Sequence, residues 1–252
     1  MWDGGFFAIG KSEGVVPEHE HHAIQIVFGI DGDIGIKGKD GEWQSCRGVI
    51  VRPDVPHSFN GQGAMGAMLF VDPESSEGSW LRSSTATDIT VVPDARLERC
   101  IGELRTFLER PFDSMEIGAL IRHCVQSLCF GAPPARRLDP RISLVLKTIR
   151  ASDDLRMSLE SVAGTAFLSP SRFAHLFTQQ VGLPFRRYML WRKLTRAVLS
   201  IAQEGSMAAA AQAADFSDAA HLTRTFYQMF GMAPSVMMRG EFFEIQPPFE
   251  AH

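Results

Sequence analysis

Two short stretches carry side chains suited to reading the edges of DNA bases. The first runs through Ser171, Arg172, Ala174 and His175, the second through Ala220, His221, Thr223 and Arg224. Short or hydrogen-bonding groups on one helical stripe can enter a major groove, where each base pair shows its own pattern of donors, acceptors and methyl groups. The opposite stripe of each stretch is apolar at helical spacing: Phe173, Leu176 and Phe177 in the first, Leu222 and Phe226 in the second. Between the two lie Arg186, Arg187, Arg192, Lys193 and Arg196. Cations along a helix are usually no more than a solvated face; beside two base-reading helices they are expected to clamp phosphates.

A second group of chemically able residues lies near the start: His19, His21, Gln25 and His57. Three imidazoles brought together could bind Zn, Fe or Ni. The interleaved Glu18, Glu20 and His22 would equally suit an exposed turn. The favoured reading has no cofactor: a pocket in which His19, His21, Gln25 and His57 hydrogen-bond a small polar effector, walled by Trp43, Phe59 and Phe70. If a metal does bind, its ligands are His19, His21 and His57.

The base-reading stretches belong to a repeat. Phe177-Thr-Gln-Gln-Val-Gly182 recurs 49 residues later as Phe226-Tyr-Gln-Met-Phe-Gly231. In the first copy Ser158 caps the helix Leu159–Ala166, Phe167-Leu168 forms the turn, and Ser169 caps the next helix with Pro170 at its first position. The second copy runs Met207–Ala214, a turn at Asp215-Phe216-Ser217, then a helix from Asp218 to about Phe230. Upstream of the turn the offset is 48, so the second turn holds one extra residue. A helix from about Pro184 to Ile201 joins the copies and would fix the spacing of two helix–turn–helix readers.

The histidines sit among short β-branched and aromatic runs: Ala23–Ile30, Asp33–Gly38, Gly48–Arg52, Ala67–Val71 and Asp88–Val92. Hairpin turns at Asp31-Gly32 and Asp40-Gly41 complete an all-β signature, barrel or sandwich. After Pro93 the spacing turns helical, through Leu97, Ile101, Leu104 and Leu108, then Ile117, Leu120, Ile121, Val125 and Leu128. The 97–108 stripe suits packing on the β domain and a subunit interface equally. Gly131-Ala-Pro-Pro-Ala-Arg-Arg137 breaks helix as a linker would.

Charge and composition bound the rest. The net charge of −4 hides a split: residues 1–135 carry 11 basic against 19 acidic groups, residues 136–252 carry 14 against 10. Nucleic acid suits the basic half, because neutralised phosphates release counterions. No apolar run is long enough to span a membrane, and Met1-Trp2-Asp3-Gly4-Gly5 lacks the basic residues expected at the start of a signal peptide. Cys46, Cys100, Cys124 and Cys129 form no CxxC pair, so a reducing cytoplasm is expected.

The pattern Ser169-Pro-Ser-Arg-Phe-Ala-His-Leu-Phe177 … Val181-Gly182-Leu-Pro184, then Ala214-Asp-Phe-Ser217 … His221-Leu-Thr-Arg-Thr-Phe226 … Phe230-Gly231-Met-Ala-Pro234, resembles the AraC/XylS family of bacterial transcription regulators over residues 140–239. The resemblance implies sequence-specific binding to double-stranded promoter DNA as a homodimer, in answer to a small-molecule effector, with RNA polymerase as a further partner and no enzymatic activity. Carried over by position, base contacts fall on Ser171, Ala174 and His175, then Ala220, His221, Thr223 and Arg224. The chain departs from the family at the turn glycines, which are Phe167 and Asp215 here. It departs again where a basic run is usual (Tyr227-Gln228-Met229) and at Met237-Met238, where the family favours Tyr-Arg. The second copy is therefore expected to read DNA less well than the first.

At the other end, Gly14 … His19-Glu-His21 … Gln25 … Gly32 and Gly48 … Pro53-Asp-Val-Pro-His57-Ser-Phe-Asn60 resemble the two cupin motifs, the second one residue short between proline and histidine. Gln25 stands where that motif places a metal-holding carboxylate. In regulators of this type an N-terminal arm can fold over the ligand, and Trp2–Phe7 is either such an arm or the first strand. The alternative reading is a metal-dependent cupin enzyme, or metal sensor, fused to a DNA-binding domain. The expected fold is α+β multidomain: a cupin-like β-barrel over 1–92, a helical dimerisation segment over 93–130, a linker over 131–138, an all-α double helix–turn–helix domain over 139–240 and a tail over 241–252.

Overall fold

The computed structural model describes residues 5–11, 14–110, 113–132, 138–238 and 244–245. Trp2, the linker centre and most of the tail lie outside them. Among the described residues, ten strands form two antiparallel sheets: β1 (Gly5–Lys11), β2 (Val15–His19), β3 (Ile24–Gly29), β4 (Ile34–Gly38), β5 (Gln44–Cys46), β6 (Gly48–Val51), β7 (His57–Asn60), β8 (Met65–Val71), β9 (Ile89–Val91) and β10 (Glu244–Ile245). The larger has the order β10-β1-β8-β3-β6-β9, the smaller β2-β7-β4-β5. The sheets face one another without closing into one hydrogen-bonded barrel, so the expected barrel is a two-sheet structure. The segment around Phe6 is the strand β1, paired along its length with β8.

Successive side chains of a strand point to opposite faces, and the larger sheet uses both. Phe6, Val27, Val49, Met68 and Phe70 meet Val16, Ile34, Ile36 and Phe59 of the smaller sheet. Phe7, Ile24, Ile26, Phe28 and Leu69 lie on the other face, under α1 (Ser76–Ser84), α2 (Asp94–Glu109) and α3 (Ser114–Leu128). A strand buried on both faces has no polar alternation, which is why β3 and β6 read as continuous apolar runs. Leu97, Ile101 and Leu104 of α2 are spent on this sheet. Each such burial contributes roughly 1.5–3 kcal/mol relative to exposure, and of that stripe only Leu108 remains exposed.

The helical half comprises α4 (Pro140–Ala151), α5 (Leu159–Thr165), α6 (Pro170–Val181), α7 (Phe185–Glu204), α8 (Met207–Ala213), α9 (Ala219–Phe230) and α10 (Pro234–Met238). Side-chain caps start the four helices of the repeat: Ser158, Ser169, Ser206 and Asp218 accept from the N–H groups of Ser161, Arg172, Ala209 and His221. Gly182 and Gly231 end the two reading helices in the left-handed region, at φ 97° and 66°. The two turns hold side-chain-bearing residues in the left-handed region: Phe167 has φ 54° and Asp215 φ 58°. Asp215 is tied down by Arg156 Nε, which donates to its carboxylate at 2.6 Å, and by Lys193 Nζ, which donates to its carbonyl at 2.9 Å. Phe167 is 93% exposed.

The two units differ in what they pack against. Phe173, Phe177 and Val181 join Ile142, Val145, Leu146 and Tyr188 in a core of their own. Trp191, Leu194, Val198, Leu222, Phe226 and Phe230 instead share one core with Phe6, Val27 and Phe70 of the β domain. Among the described residues no helix is long and apolar enough to cross a membrane.

Candidate DNA interface and effector cavity

The stripes expected to face DNA are solvent-accessible. On α6, Ser171, Arg172 and His175 are exposed and Ala174 half-buried; on α9, Ala220, His221 and Arg224 are exposed and Thr223 half-buried. Behind them Phe173, Phe177, Leu222 and Phe226 are buried. Thr223 Oγ1 donates to the Ala219 carbonyl at 2.8 Å, so its hydroxyl proton is engaged within the helix.

The cations of α7 are placed differently from the expected phosphate clamp. Arg186 is exposed. Arg187 lies 3.3 Å from Glu20 of the β domain, and Lys193 holds the Asp215 carbonyl. Arg196 donates to the Ser152 and Asp153 carbonyls, and Arg192 stands 4.0 Å from Asp72. The physical reason is the position of α7. It buries Tyr188, Trp191, Leu194, Ala197 and Val198, so its cations emerge at the edges, beside acceptors of neighbouring segments.

His19, His21 and His57 do come together: one ring nitrogen of each lies within 4.8 Å of the others, and all three side chains are buried. Each Nδ1 faces a backbone carbonyl, of Pro17 at 2.8 Å, Ala23 at 3.1 Å and Val55 at 2.8 Å. Donation there puts the single proton of each neutral ring on Nδ1 and leaves the Nε2 lone pair. The Gln25 amide lies 3.0 Å from His21 Nε2 and 2.8 Å from His57 Nε2. Two lone pairs need donors, so the amide must turn its NH2 toward them, an assignment made by the network rather than by atom positions. Burial, reinforced by the neighbouring imidazoles, pushes His21 down to about 3 and His57 to about 2; burial also lowers His19. The cluster is therefore uncharged at neutral pH.

His19 and Gln25 form the polar end of a cavity whose other walls are apolar. Phe6, Val16, Phe59, Met68 and Phe70 come from the β domain; Val198, Phe226, Phe230 and Met232 come from the helical domain. Phe59 and Phe70 thus wall it as expected, while His21 and His57 bond to Gln25. Trp43 does not line it. Ile34 and Ile36 point inward from β4, so Gly35 between them faces out, and a Cβ there would lie 3.3 Å from the Trp43 ring. Sequence reasoning missed the helical-domain wall. Phe226 and Phe230 are recognisable as apolar residues of a reading helix, but no local pattern shows what they meet.

A buried polar cluster also joins the domains. Asp72 and Glu74, in the turn between β8 and α1, face Arg150 of α4 at 3.9 and 3.5 Å. Trp191 Nε1 donates to Asp72 at 3.0 Å. His22 lies 3.2 Å from Glu74 and 3.7 Å from Asp54; against the cost of burial, these carboxylates raise it to about 9. Burial raises Asp72, whereas His22 and Arg150 hold Glu74 down despite its burial.

Residues 162–240 match the family model described as a helix-turn-helix domain. The chain is 24% identical over 226 residues to the probable transcriptional regulator LumQ of Photobacterium leiognathi, covering 86% of this chain and 90% of LumQ. It is 27% identical over 143 residues to the uncharacterized HTH-type transcriptional regulator YidL of Escherichia coli, covering 55% and 48%. ToxT from Vibrio cholerae O395 superposes with a TM-score of 0.57 at 10% identity, over 93% of this chain and 96% of ToxT. An unsaturated fatty acid-bound ToxT from strain SCE256 gives 0.55 at 12%, over 92% and 93%. At such identity the likeness is one of fold, and it spans both domains. The paired units, the matched helix–turn–helix domain and the regulator relatives agree: the chain is a transcriptional regulator with a helix–turn–helix DNA-binding domain, and it resembles the AraC/XylS family.

Proposed function

We propose that this regulator answers to a small effector held between the β domain and the second helix–turn–helix unit. It binds promoter DNA in the cytoplasm as a homodimer, and RNA polymerase is its further partner. Base edges are read by Ser171, Arg172, Ala174 and His175 on α6 and by Ala220, His221, Thr223 and Arg224 on α9. Arg186 supplies the readiest phosphate contact, being exposed on α7. The observation that carries the effector reading is a cavity with walls from both domains. A ligand there contacts the sensor and the reader at once, and so has the differential affinity for two domain arrangements that regulation requires.

The lining also selects chemistry. Its polar end is neutral, offers the His19 Nε2 lone pair, and has no Lys or Arg among its lining residues. An apolar body with a hydrogen-bond-donating head, such as an alcohol, phenol or amine, fits better than a carboxylate like that of the fatty acid bound to ToxT. A thermal-shift series on the full chain, with alcohols, phenols and amines against fatty acids, tests this. A higher melting temperature with donor-headed ligands, lost in Gln25→Ala, is the expected result. A response to carboxylates alone would overturn it.

A second reading rests on the three Nε2 lone pairs. Imidazoles whose Nδ1–H groups are fixed by carbonyls are oriented as metal ligands usually are. His19, His21 and His57 would hold a divalent transition ion once the Gln25 amide swung aside, and the ion would give the effector head a Lewis-acid anchor. Titration of tag-free protein with Co2+ tests it: visible absorption bands absent in His57→Ala support the site, and their absence from the parent protein rejects it.

A further inference from the structure

The cavity is small. Its volume is about 30 Å³, room for roughly two water molecules. A ligand of more than a few atoms must move a wall. Phe6, Met68 and Phe70 belong to the larger sheet, which is buried on both faces, so the wall that yields is the helical one: Val198, Phe226, Phe230 and Met232.

That wall is held by the polar cluster, and the hold is loose. Its charged contacts between the two domains, at 3.5 to 4.0 Å, are longer than the roughly 2.7–2.9 Å of a well-formed charge-assisted hydrogen bond. Glu74 Oε1, Arg150 Nε and Nη2, Tyr188 Oη and Arg192 Nε are buried without a hydrogen-bond partner in the protein. Three acidic groups (Asp54, Asp72, Glu74) face three basic ones (His22, Arg150, Arg192), so separation into water leaves no uncompensated buried charge. Water would satisfy these atoms better than the interface does, which makes the cluster a specific but reversible tie. Trp191 joins tie to cavity. Its N–H holds Asp72 while its ring lies 6.3 Å from Phe6, 6.3 Å from His21 and 6.0 Å from Phe230.

We propose that the Asp72–Glu74 turn is an autoinhibitory latch. It keeps Arg150, Trp191 and Arg192 of the DNA-binding domain on the β domain, and filling the cavity releases it through Trp191. A guanidinium takes carboxylate and phosphate with the same fork of donors. Asp72 therefore occupies Arg192 in place of a DNA phosphate, and release returns that cation to the reader. Displacing Phe226 and Phe230 shifts Trp191, and the Asp72 bond breaks with the rest of the cluster.

The test uses full-length protein, a labelled mixed-sequence duplex at fixed salt, and no effector, so its outcome is independent of the ligand assignment. Asp72→Asn should bind about tenfold more tightly than wild type, within the usual range of allosteric coupling, and its radius of gyration in X-ray scattering should increase. Trp191→Phe, which keeps an aromatic ring and loses the bond to Asp72, should move both readouts the same way by less. Asp40→Asn, on the β4–β5 turn, controls for the lost negative charge and should match wild type. Unchanged affinity in folded Asp72→Asn overturns the latch. So does tighter binding without expansion, because charge alone then explains the gain. Should Asp72→Asn fail to fold, Trp191→Phe decides: affinity equal to wild type overturns the proposal.

Discussion

The two copies of the repeat present the same backbone to different surroundings. Gly182 and Gly231 occupy equivalent positions, each closing its reading helix in the left-handed region. A Cβ on Gly182 would meet nothing within 4 Å. On Gly231 it would lie 2.7 Å from Val16 Cγ1 and 2.9 Å from both His19 Nδ1 and the Pro17 carbonyl. The first copy is a self-contained reader on its own core, whereas the second is also a wall of the sensor. Of the two helices proposed to read bases, only the first is free of contact with the β-domain core. The expectation that the second copy reads DNA less well fits this division, because a helix that lines the inter-domain cavity is constrained on its apolar side.

The largest test of this asymmetry removes one equivalent phenylalanine from each copy. Phe177→Ala and Phe226→Ala should each cost about 3–5 kcal/mol, the usual range for a buried aromatic. They should differ in where. Hydrogen exchange should quicken only around α4–α6 and the first turns of α7 for Phe177→Ala, but in the rest of α7, in α8 and α9 and around β1, β2 and β8 for Phe226→Ala. Equal, local effects from both would show that the second copy does not share the β-domain core.

Next in size are the glycines. Alanine at Gly182 meets only the left-handed backbone cost, roughly 1–2 kcal/mol. Alanine at Gly231 adds overpacking of about 1–3 kcal/mol, because two of its three close neighbours are a backbone carbonyl and a buried imidazole. Denaturant unfolding of the two variants should separate them by that difference. Similar losses would mean that the second copy is not pressed on β2.

Acid should also strike one side. His21 and His57 titrate near 3 and 2 in the fold against about 6.5 when unfolded. Below about pH 6.5 the unfolded chain therefore binds protons that the folded chain refuses, and stability falls as pH falls. The loss is up to about 2 kcal/mol per imidazole at pH 5. Melting curves from pH 7 to 5 should decline, and His57→Gln should flatten the decline. Hydrogen exchange should place the weakening in the β domain and α9, with the α4–α6 core little changed.

Sequence disclosed what was local and concealed what was distant. Ser169-Pro170, the Phe173–Phe177 stripe and the capping serines act within a few residues of themselves, so the readers and their exposed faces could be drawn from spacing alone. The convergence of His19, His21 and His57 was legible through the resemblance of their two stretches to the cupin motifs, although β2 and β7, which pair directly and place His19 opposite His57, were not among the runs the spacing displayed. The docking of the second copy was not. Val16 and Gly231 are far apart in the chain, and neither belongs to a periodic pattern that shows the other. Asp72, Glu74 and Arg150 look like ordinary surface charges until the fold buries them together. Arg192 shows the same limit: helical spacing gave its place on α7, but its neighbour comes from the β8–α1 turn. The α2 stripe suited sheet packing and a subunit interface alike, and the exposed side of the larger sheet took it.

The smallest expected effect lies in the two turns, and its sign should differ between copies. Phe167 holds a left-handed conformation that costs a side-chain-bearing residue roughly 1–2 kcal/mol, and its exposed ring recovers little by packing. Glycine there removes that cost but loosens the unfolded chain by about 0.5–1 kcal/mol, so Phe167→Gly should stabilise by a few tenths to about 1 kcal/mol. Aspartate tolerates the left-handed region better, and Asp215 also accepts from Arg156. That ion pair is exposed on the Arg156 side and is worth at most about 1 kcal/mol. Asp215→Gly should therefore be neutral or slightly destabilising. Opposite signs in denaturant unfolding would mean that the first turn bears unrelieved strain, while the second has a side chain that binds it to the rest of the domain. Stabilisation by glycine at both turns would show that the Arg156 contact contributes nothing and that the turns, unlike the cores behind them, are equivalent.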